Sequence, residues 1–176
     1  MGGQDDHYLS RVEILDTSES RQWYHAASLP QPLGAALPAT IGNICYLLGG
    51  VTEGYFCSRK VFRVCLDDLI SQAVSQQSAS ASTLCTPSPW QSLPDTPLAN
   101  STALAFNGVL LALGGGHYGA GSTAIYHYHP SSRSWIKAGE LPTERYKCTC
   151  TVLPNEDLYV AGGDNAEQLV DIASVQ

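Results

Sequence analysis

Short apolar runs alternate with turn residues along this chain, a pattern that predicts β-strands joined by tight connections. The clearest example begins with residues 101–106, which are predicted to form a strand. Asn107-Gly108 follows and predicts a two-residue hairpin, because both residues readily adopt positive φ. The next run, 109–113, is apolar at successive positions. It is therefore predicted to be a strand buried on both faces.

Two further strands complete this unit. Residues 124–129 alternate in character and predict a third strand, and 130–133 contain the proline and serines of a turn. A short fourth strand is predicted at 135–137. The unit is therefore expected to be a sheet of four short antiparallel strands.

The same unit recurs along the chain. Each copy has a tryptophan, then a Leu-Pro step, then an apolar run that ends in a glycine pair, and the distances from proline to first glycine are 19, 20 and 20 residues (30 to 49, 94 to 114 and 142 to 162). A repeat of this kind largely determines the fold. The repeated residues are Trp23, Trp90 and Trp135; Leu29-Pro30, Leu93-Pro94 and Leu141-Pro142; and Gly49, Gly50, Gly114, Gly115, Gly162 and Gly163.

The other copies align with this unit. Residues 12–16 with Trp23 predict the second half of an earlier copy, in which Gly2-Gly3 would be the remaining glycine pair. The remaining predicted strands are 37–41, 44–48 and 61–65 in one copy, and 146–153, 158–161 and 169–174 in the last, with turns at Gly42-Asn43 and 154–157.

The intervals between first glycines are 65 residues (49 to 114) and 48 residues (114 to 162). The shorter value fits one four-stranded propeller blade of about 50 residues. The longer interval contains the Ser-, Gln- and Ala-rich run 71–89, which is predicted to be a disordered insertion. The predicted division of the chain is 1–25, the end of one repeat; 26–93, a repeat with the insertion; 94–140, a repeat; and 141–176, an incomplete repeat.

The composition agrees with a β-rich protein and argues against some classes of partner. Charged residues make up 14% of the chain, which also has 16 glycines and 10 prolines. The net charge is −7 and no Lys/Arg cluster occurs, which argues against a nucleic-acid partner. No apolar run is long enough for a membrane span, and the polar N-terminus lacks the features of a secretory signal. A cytoplasmic location is expected.

Six cysteines, at 45, 57, 65, 85, 148 and 150, could form disulfides in a secreted protein. Without a signal peptide, reduced thiols that act as small core residues are the favoured interpretation. Cys148 and Cys150 share a strand face, so a metal or redox role is an alternative for them. His127 and His129 also share a strand face, and metal binding is the alternative for that pair. No third ligand is evident, and no metal or cofactor is predicted.

These motifs resemble the Kelch repeat. The match is closest in the glycine pairs Gly114-Gly115 and Gly162-Gly163, the spaced Tyr126, Tyr128 and Trp135, and Pro130, Pro142 and Arg145. The first full copy departs from the pattern, because Phe62 and Val64 replace the tyrosines and the insertion separates them from Trp90.

The resemblance implies a β-propeller, usually of six blades. The expected fold is all-β: a partial Kelch-type β-propeller with about three four-stranded antiparallel blades in an open arc. Such a chain would be a fragment or part of an assembly of several chains. An open arc would leave blade edges bare, so self-association through these edges is also expected.

Most repeated residues are predicted to be structural. The glycine pairs end strands and do not open a helix, so backbone packing is favoured over phosphate binding. Packing between blades is favoured over ligand stacking for the three tryptophans and for Tyr126 and Tyr128.

Connections in an antiparallel blade alternate between its two ends. The loop after each glycine pair therefore shares an end with the connection into the next blade. In adaptor-type Kelch proteins this end is the usual ligand face, and polar and aromatic side chains there are the predicted contacts with a partner. These residues are Tyr55, Arg59, His117, Tyr118, Glu144 and Arg145.

The predicted function is a non-catalytic protein–protein interaction module that presents propeller loops to a protein or peptide. The resemblance includes adaptors of the BTB-Kelch type, which implies substrate recognition for a cullin-type ubiquitin ligase. The alternatives are an actin-associated or structural Kelch protein and a fragment of a Kelch-fold enzyme of the copper-dependent galactose oxidase type. No nucleophile elbow, zincin or paired-carboxylate motif appears in the sequence.

Overall fold

The computed structural model describes residues 2–3, 7–18, 21–78, 87–116 and 120–164. Within them the chain forms short strands, one α-helix and a 3₁₀ turn at Glu53–Tyr55. The elements are β1 (Val12–Leu15), β2 (Trp23–Ala26), β3 (Leu37–Ile41), β4 (Ile44–Leu48), β5 (Val51–Thr52), β6 (Phe56–Cys57), β7 (Val61–Cys65), α1 (Leu66–Ser78), β8 (Gln91–Leu93), β9 (Thr102–Phe106), β10 (Val109–Leu113), β11 (Ser122–His129), β12 (Ser134–Arg145), β13 (Thr149–Val152) and β14 (Leu158–Ala161).

Within the described residues the strands pair in five antiparallel sheets, four of which follow one another in chain order. The second sheet has the order β3-β4-β7-β8 and the third has the order β9-β10-β11-β12. The first sheet consists of β1 and β2, and the fourth of β13 and β14. A separate small hairpin, β5-β6, lies in the connection between β4 and β7. The all-β prediction is confirmed, and the predicted turns at Gly42-Asn43 and Asn107-Gly108 are observed.

Neighbouring sheets pack face to face through three apolar clusters. In β4, Cys45 and Leu47 belong to the cluster between the first and second sheets, whereas Tyr46 and Leu48 belong to the next cluster. β10 divides its side chains in the same way between the second and third clusters. The second strand of each four-stranded sheet is thus buried on both faces, as its uninterrupted apolar run predicted.

The first strands of successive sheets lie next to one another, since β9 contacts both β3 and β13. The later strands of each sheet lie progressively farther from these inner strands. The described residues that follow Gly49-Gly50 and Gly114-Gly115 therefore lie at the same end of the sheets. This end carries the candidate site described below.

The glycine pairs end strands at places where backbones approach closely. Gly114 and Gly115 have φ of 58° and 102°, and the Gly115 amide donates to the Arg145 carbonyl over 2.8 Å. A Cβ on Gly114 would clash with the same carbonyl oxygen. Gly2 and Gly3 also have positive φ. The predicted backbone-packing role is thus observed at Gly114-Gly115.

Two of the three repeated tryptophans connect neighbouring sheets. Trp90 donates its Nε1 hydrogen to the Ala27 carbonyl over 3.0 Å, and Trp135 donates to the Pro94 carbonyl over 3.1 Å. Trp135 also packs against Tyr128 at 5.4 Å between ring centroids, and Tyr126 is half-buried. Trp23 is 60% exposed, and no described sheet faces it, so its packing role stays a prediction.

The disordered-insertion prediction for 71–89 is wrong over residues 71–78, which belong to α1. Leu69 and Ala73 lie four residues apart on one helix face and are buried in the first apolar cluster. Asp67 and Asp68 in the first turn favour the helix N-terminus electrostatically. Residues 79–86 lie outside the described residues.

Strand β12 is longer than the predicted fourth strand 135–137 and continues through Leu141-Pro142 to Arg145. The β11–β12 pairing shifts register between Ala124↔Glu140 and Ser122↔Arg145. Pro142 lies within this shift, where its missing N–H is not needed for a hydrogen bond to β11. The first strand of the last repeat is correspondingly short, 149–152 instead of 146–153. The predicted strand at 169–174 lies outside the described residues.

Candidate functional site: the loop face

The candidate site lies at the end of the sheets where the connections after β4, β8, β10 and β12 meet. We call this end the loop face and define it by residues 49–60, 94–101, 114–116 and 142–148. The Thr96 amide donates to the Arg59 carbonyl over 2.8 Å, which joins the first two segments. The side-chain amide nitrogen of Asn100 lies 3.2 Å from the Cys57 sulfur and donates to the Gly116 carbonyl over 3.4 Å. Side chains and backbone thus hold the loops together.

The β5-β6 hairpin projects two aromatic side chains from this face. Its three-residue turn requires positive φ at Gly54 (77°) and Tyr55 (61°). The Thr52 hydroxyl donates to the Phe56 carbonyl over 3.3 Å and closes the turn. Tyr55 and Phe56 are 69% and 68% exposed. A defined backbone therefore presents two adjacent aromatic rings to solvent.

The hairpin also contacts the N-terminal segment. The Tyr8 and Tyr55 rings make an edge-to-face contact with centroids 6.4 Å apart. The Gly34 amide donates to the Val51 carbonyl over 2.9 Å, and the reciprocal bond is 2.7 Å. Desolvation, followed by the effects of Tyr55 and Cys57, raises the pKa of the Tyr8 phenol above its ordinary value. The base of the hairpin is thus anchored on both sides.

A cavity of about 360 Å³ lies beside the hairpin. The Arg59 guanidinium at its wall donates to the Pro97 carbonyl over 3.2 Å, and Arg59 as a whole is exposed. Lys60 and Asp95 form an ion pair of 3.1 Å at the same junction. The lining residues are Cys57, Arg59, Pro97, Leu98, Ala99 and Gly116.

The predicted contact residues have different locations. Tyr55 and Arg59 lie at the hairpin and cavity, and Glu144 is exposed at the end of β12. Arg145 is only 1% exposed, so its prediction as an exposed contact residue is wrong. Its side chain points inward at the end of β12, where the guanidinium donates to the Gly162 carbonyl over 2.8 Å. His117 and Tyr118 lie outside the described residues.

Sequence reasoning missed Phe56, which is as exposed as its neighbour Tyr55. A signal was present, because Gly54 placed directly before two aromatic residues indicates a turn with an apolar tip. It also missed Tyr8, whose contact with Tyr55 joins segments distant in the chain.

The groups considered for metal or redox chemistry form no larger cluster. No group of three or more His, Cys, Asp or Glu side chains suited to a metal occurs among the described residues. The rings of His127 and His129 are 6.5 Å apart, and His129 Nδ1 lies 3.1 Å from the Ser132 hydroxyl. Burial, followed by the neighbouring Cys148, raises the pKa of Cys150 to about 12. Cys150 is therefore a protonated core thiol, not a reactive thiolate.

The five cysteines within the described residues, Cys45, Cys57, Cys65, Cys148 and Cys150, are free. Across the same residues, no helix combines the length and apolar character needed to cross a bilayer.

Comparison with known proteins gives a fold relationship. No protein-family model matches the chain, and no curated protein matches it in sequence. The solved structure of YjhT is similar, with a TM-score of 0.70 and 19% sequence identity. The match covers 96% of this chain and 49% of the YjhT chain, so this chain spans about half the length of that protein. At this identity the similarity shows a shared fold.

Proposed function

We propose that this chain is part of a Kelch-type β-propeller with about three blades and acts as a non-catalytic protein-binding module. Support for the propeller comes from the repeated sheet order, the adjacent inner strands and the glycine pairs at strand ends. The tryptophan bonds between successive sheets add a second repeated feature. The Kelch resemblance in sequence connects these features to a family of binding proteins.

The paired aromatic tip of the β5-β6 hairpin is the observation that carries the proposal. Tyr55 and Phe56 expose most of their rings beside a cavity whose wall includes Arg59. Tyrosine, phenylalanine and arginine are enriched at protein interfaces, and tyrosine and arginine also among hot spots. Because the hairpin is closed by its own hydrogen bonds and anchored at Tyr8, little conformational entropy is lost when a partner binds.

The chemistry of this face fits a peptide or an exposed protein loop. The cavity of about 360 Å³ lies at the lower end of the range of about 300–1,000 Å³ found for ligand sites, so it has room for one or two partner side chains. A partner side chain would enter beside Arg59 while its neighbours pack on the aromatic tip. By the Kelch resemblance, the partner would be a substrate that a cytoplasmic adaptor brings to a cullin-type ubiquitin ligase.

Selection from a displayed peptide library tests this proposal and also supplies the peptide ligand for the measurement. Peptides selected on the wild-type chain are measured against the double variant Tyr55→Ser/Phe56→Ser and against Arg59→Ala. We expect at least a 10-fold loss of affinity for the double variant, since truncated aromatic hot spots commonly cost about 2 kcal/mol or more.

The matched control is Val109→Ser, which removes another exposed apolar side chain (37% exposed) at the opposite end of a sheet. It should leave affinity unchanged. Peptides that bind wild type, the double variant and Arg59→Ala equally well would show that the loop face is not the binding surface.

A further inference from the structure

The turn between β9 and β10 consists of Asn107 and Gly108. Phe106 and Val109 on either side are cross-strand partners, so these two residues form the complete connection. Both have positive φ, 46° and 74°, as a type I′ turn requires. Both are also exposed, at the end of the third sheet opposite the loop face. The turn therefore presents an Asn-Gly step to solvent.

An asparagine that precedes a glycine can react with its own backbone. The amide nitrogen of the glycine attacks the side-chain carbon Cγ, and the new N–Cγ bond closes a succinimide ring. The Cγ–Nδ2 bond breaks, and ammonia leaves with the proton of the attacking amide. Water then opens the ring at either carbonyl and gives aspartate or isoaspartate. Glycine favours ring closure because no side chain shields its nitrogen.

Both reacting groups of this turn are accessible. Among the described residues, neither the Asn107 side chain nor the Gly108 amide has a hydrogen-bond partner. A Cβ on Gly108 would meet no described atom within 4 Å, so nothing packs on this side of the turn. Ring closure requires the Asn107 backbone to leave its left-handed conformation. Local opening at an exposed hairpin tip costs less free energy than opening the buried strands.

The other three asparagines in the described part of the chain differ from Asn107, because each side chain has a polar contact and none precedes a glycine. These contacts are Asn43 with the Cys65 sulfur (3.6 Å), Asn100 with the Gly116 carbonyl (3.4 Å) and Asn155 with the Asp157 carboxylate (2.6 Å).

Asn43 gives the most direct comparison, since it lies in the corresponding turn of the second sheet. There the order is reversed, Gly42-Asn43, and the next residue is Ile44. The branched side chain of Ile44 shields the nitrogen that would attack. The two turns thus contain the same residue types, but only the turn in the third sheet combines an asparagine with an unshielded nitrogen.

We propose that Asn107 is a modification site at which the folded chain converts spontaneously to aspartate and isoaspartate. The reaction consumes one water and releases one ammonia, and it needs no oxidant, reductant or enzyme. It involves the β9–β10 turn alone, so it does not depend on a ligand at the loop face.

The two products should affect the sheet differently. Aspartate keeps the backbone unchanged, and Asp-Gly suits the same type of turn. Isoaspartate routes the backbone through the side chain and lengthens the turn, although turn length fixes the register of a hairpin. Strand β10 is buried on both faces, in the second and third apolar clusters. Only the isoaspartate form should therefore lose stability.

Peptide mapping of the folded wild-type chain, incubated in a mildly alkaline buffer, tests the site. Mass spectrometry with fragmentation that distinguishes isoaspartate from aspartate follows each asparagine. Asn107 should convert at least about 10-fold faster than Asn43, because glycine leaves the attacking nitrogen unshielded and isoleucine does not. Equal rates at these two positions would contradict the proposal. Conversion of Asn107 in urea but not in the folded chain would also contradict it.

The matched control is the double variant Asn107→Gly/Gly108→Asn, which exchanges the two turn residues. Its composition is unchanged, and the second sheet shows that this order also forms the turn. The branched Val109 now follows the asparagine, so the moved asparagine should stay intact while Asn107 of the wild-type chain converts. Conversion at equal rates would show that exposure alone, not the unshielded glycine nitrogen, determines the reaction.

Urea denaturation of the separated products tests the structural consequence. Both products gain a negative charge, so anion exchange separates them from the unmodified chain. The isoaspartate form should unfold at a lower urea concentration, whereas the variant Asn107→Asp should match the wild-type chain. An isoaspartate form as stable as the wild-type chain would contradict the role of this turn in fixing the β9–β10 register.

Discussion

Among the individual residues, Arg145 shows how the role of a side chain depends on its direction. Its neighbour Glu144 is exposed, whereas Arg145 is buried and donates to the Gly162 carbonyl. The sequence alone places both residues in one polar segment after a Leu-Pro step. Strand alternation separates them, because successive residues of β12 point to opposite faces. Arg145 therefore joins the third and fourth sheets.

Arg145→Met should lower the free energy of unfolding by about 2 kcal/mol, because it removes a hydrogen bond from a charged donor and leaves the half-buried Gly162 carbonyl without that partner. Urea denaturation measures this change. Glu144→Gln is the matched control and should change stability by less than about 0.5 kcal/mol. Unchanged stability in Arg145→Met would show that the inward hydrogen bond does not hold the sheets together.

Among the strands and their connections, the glycine pairs lie where strands end. The distance from each glycine to the neighbouring backbone differs between the copies of the repeat. Gly114 and Gly162 have nearly equal φ, 58° and 61°. A Cβ on Gly114 would clash with the Arg145 carbonyl oxygen, whereas a Cβ on Gly162 would meet no described atom within 4 Å. At Gly114, therefore, both the left-handed backbone and the lack of space for a Cβ favour glycine. At Gly162 only the left-handed backbone does.

This pair separates the two effects experimentally. Gly162→Ala should lower the unfolding free energy by about 1 kcal/mol, the cost of a left-handed conformation for an L-residue. Gly114→Ala should lower it by about 3 kcal/mol or more, because the backbone must also move. Chemical denaturation of both variants provides the comparison. Equal losses would contradict the close approach of the Gly114 and Arg145 backbones.

The strands and the helix also show what sequence can predict here. The β-hairpins and the doubly buried second strands follow from local turn residues and from apolar runs, so pattern reasoning found them. Helix α1 was missed because its buried stripe consists of only Leu69 and Ala73 within a polar run. Its stability depends on packing against β2, which is a tertiary contact. The packing of Trp23 likewise depends on which sheet lies opposite.

Across the molecule, the proposed binding role belongs to one end of the sheets. The loop face lies at the ends of the sheets and carries the aromatic hairpin and the cavity beside Arg59.

Photo-cross-linking tests whether the loop face binds a peptide. A benzoyl-phenylalanine at position 56, on the aromatic tip, is compared with one at position 109, at the opposite end of a sheet. A library-selected peptide should cross-link to position 56 and not to position 109, and an excess of unlabelled peptide should prevent the reaction. Cross-linking at position 109 with none at position 56 would contradict peptide binding at the loop face.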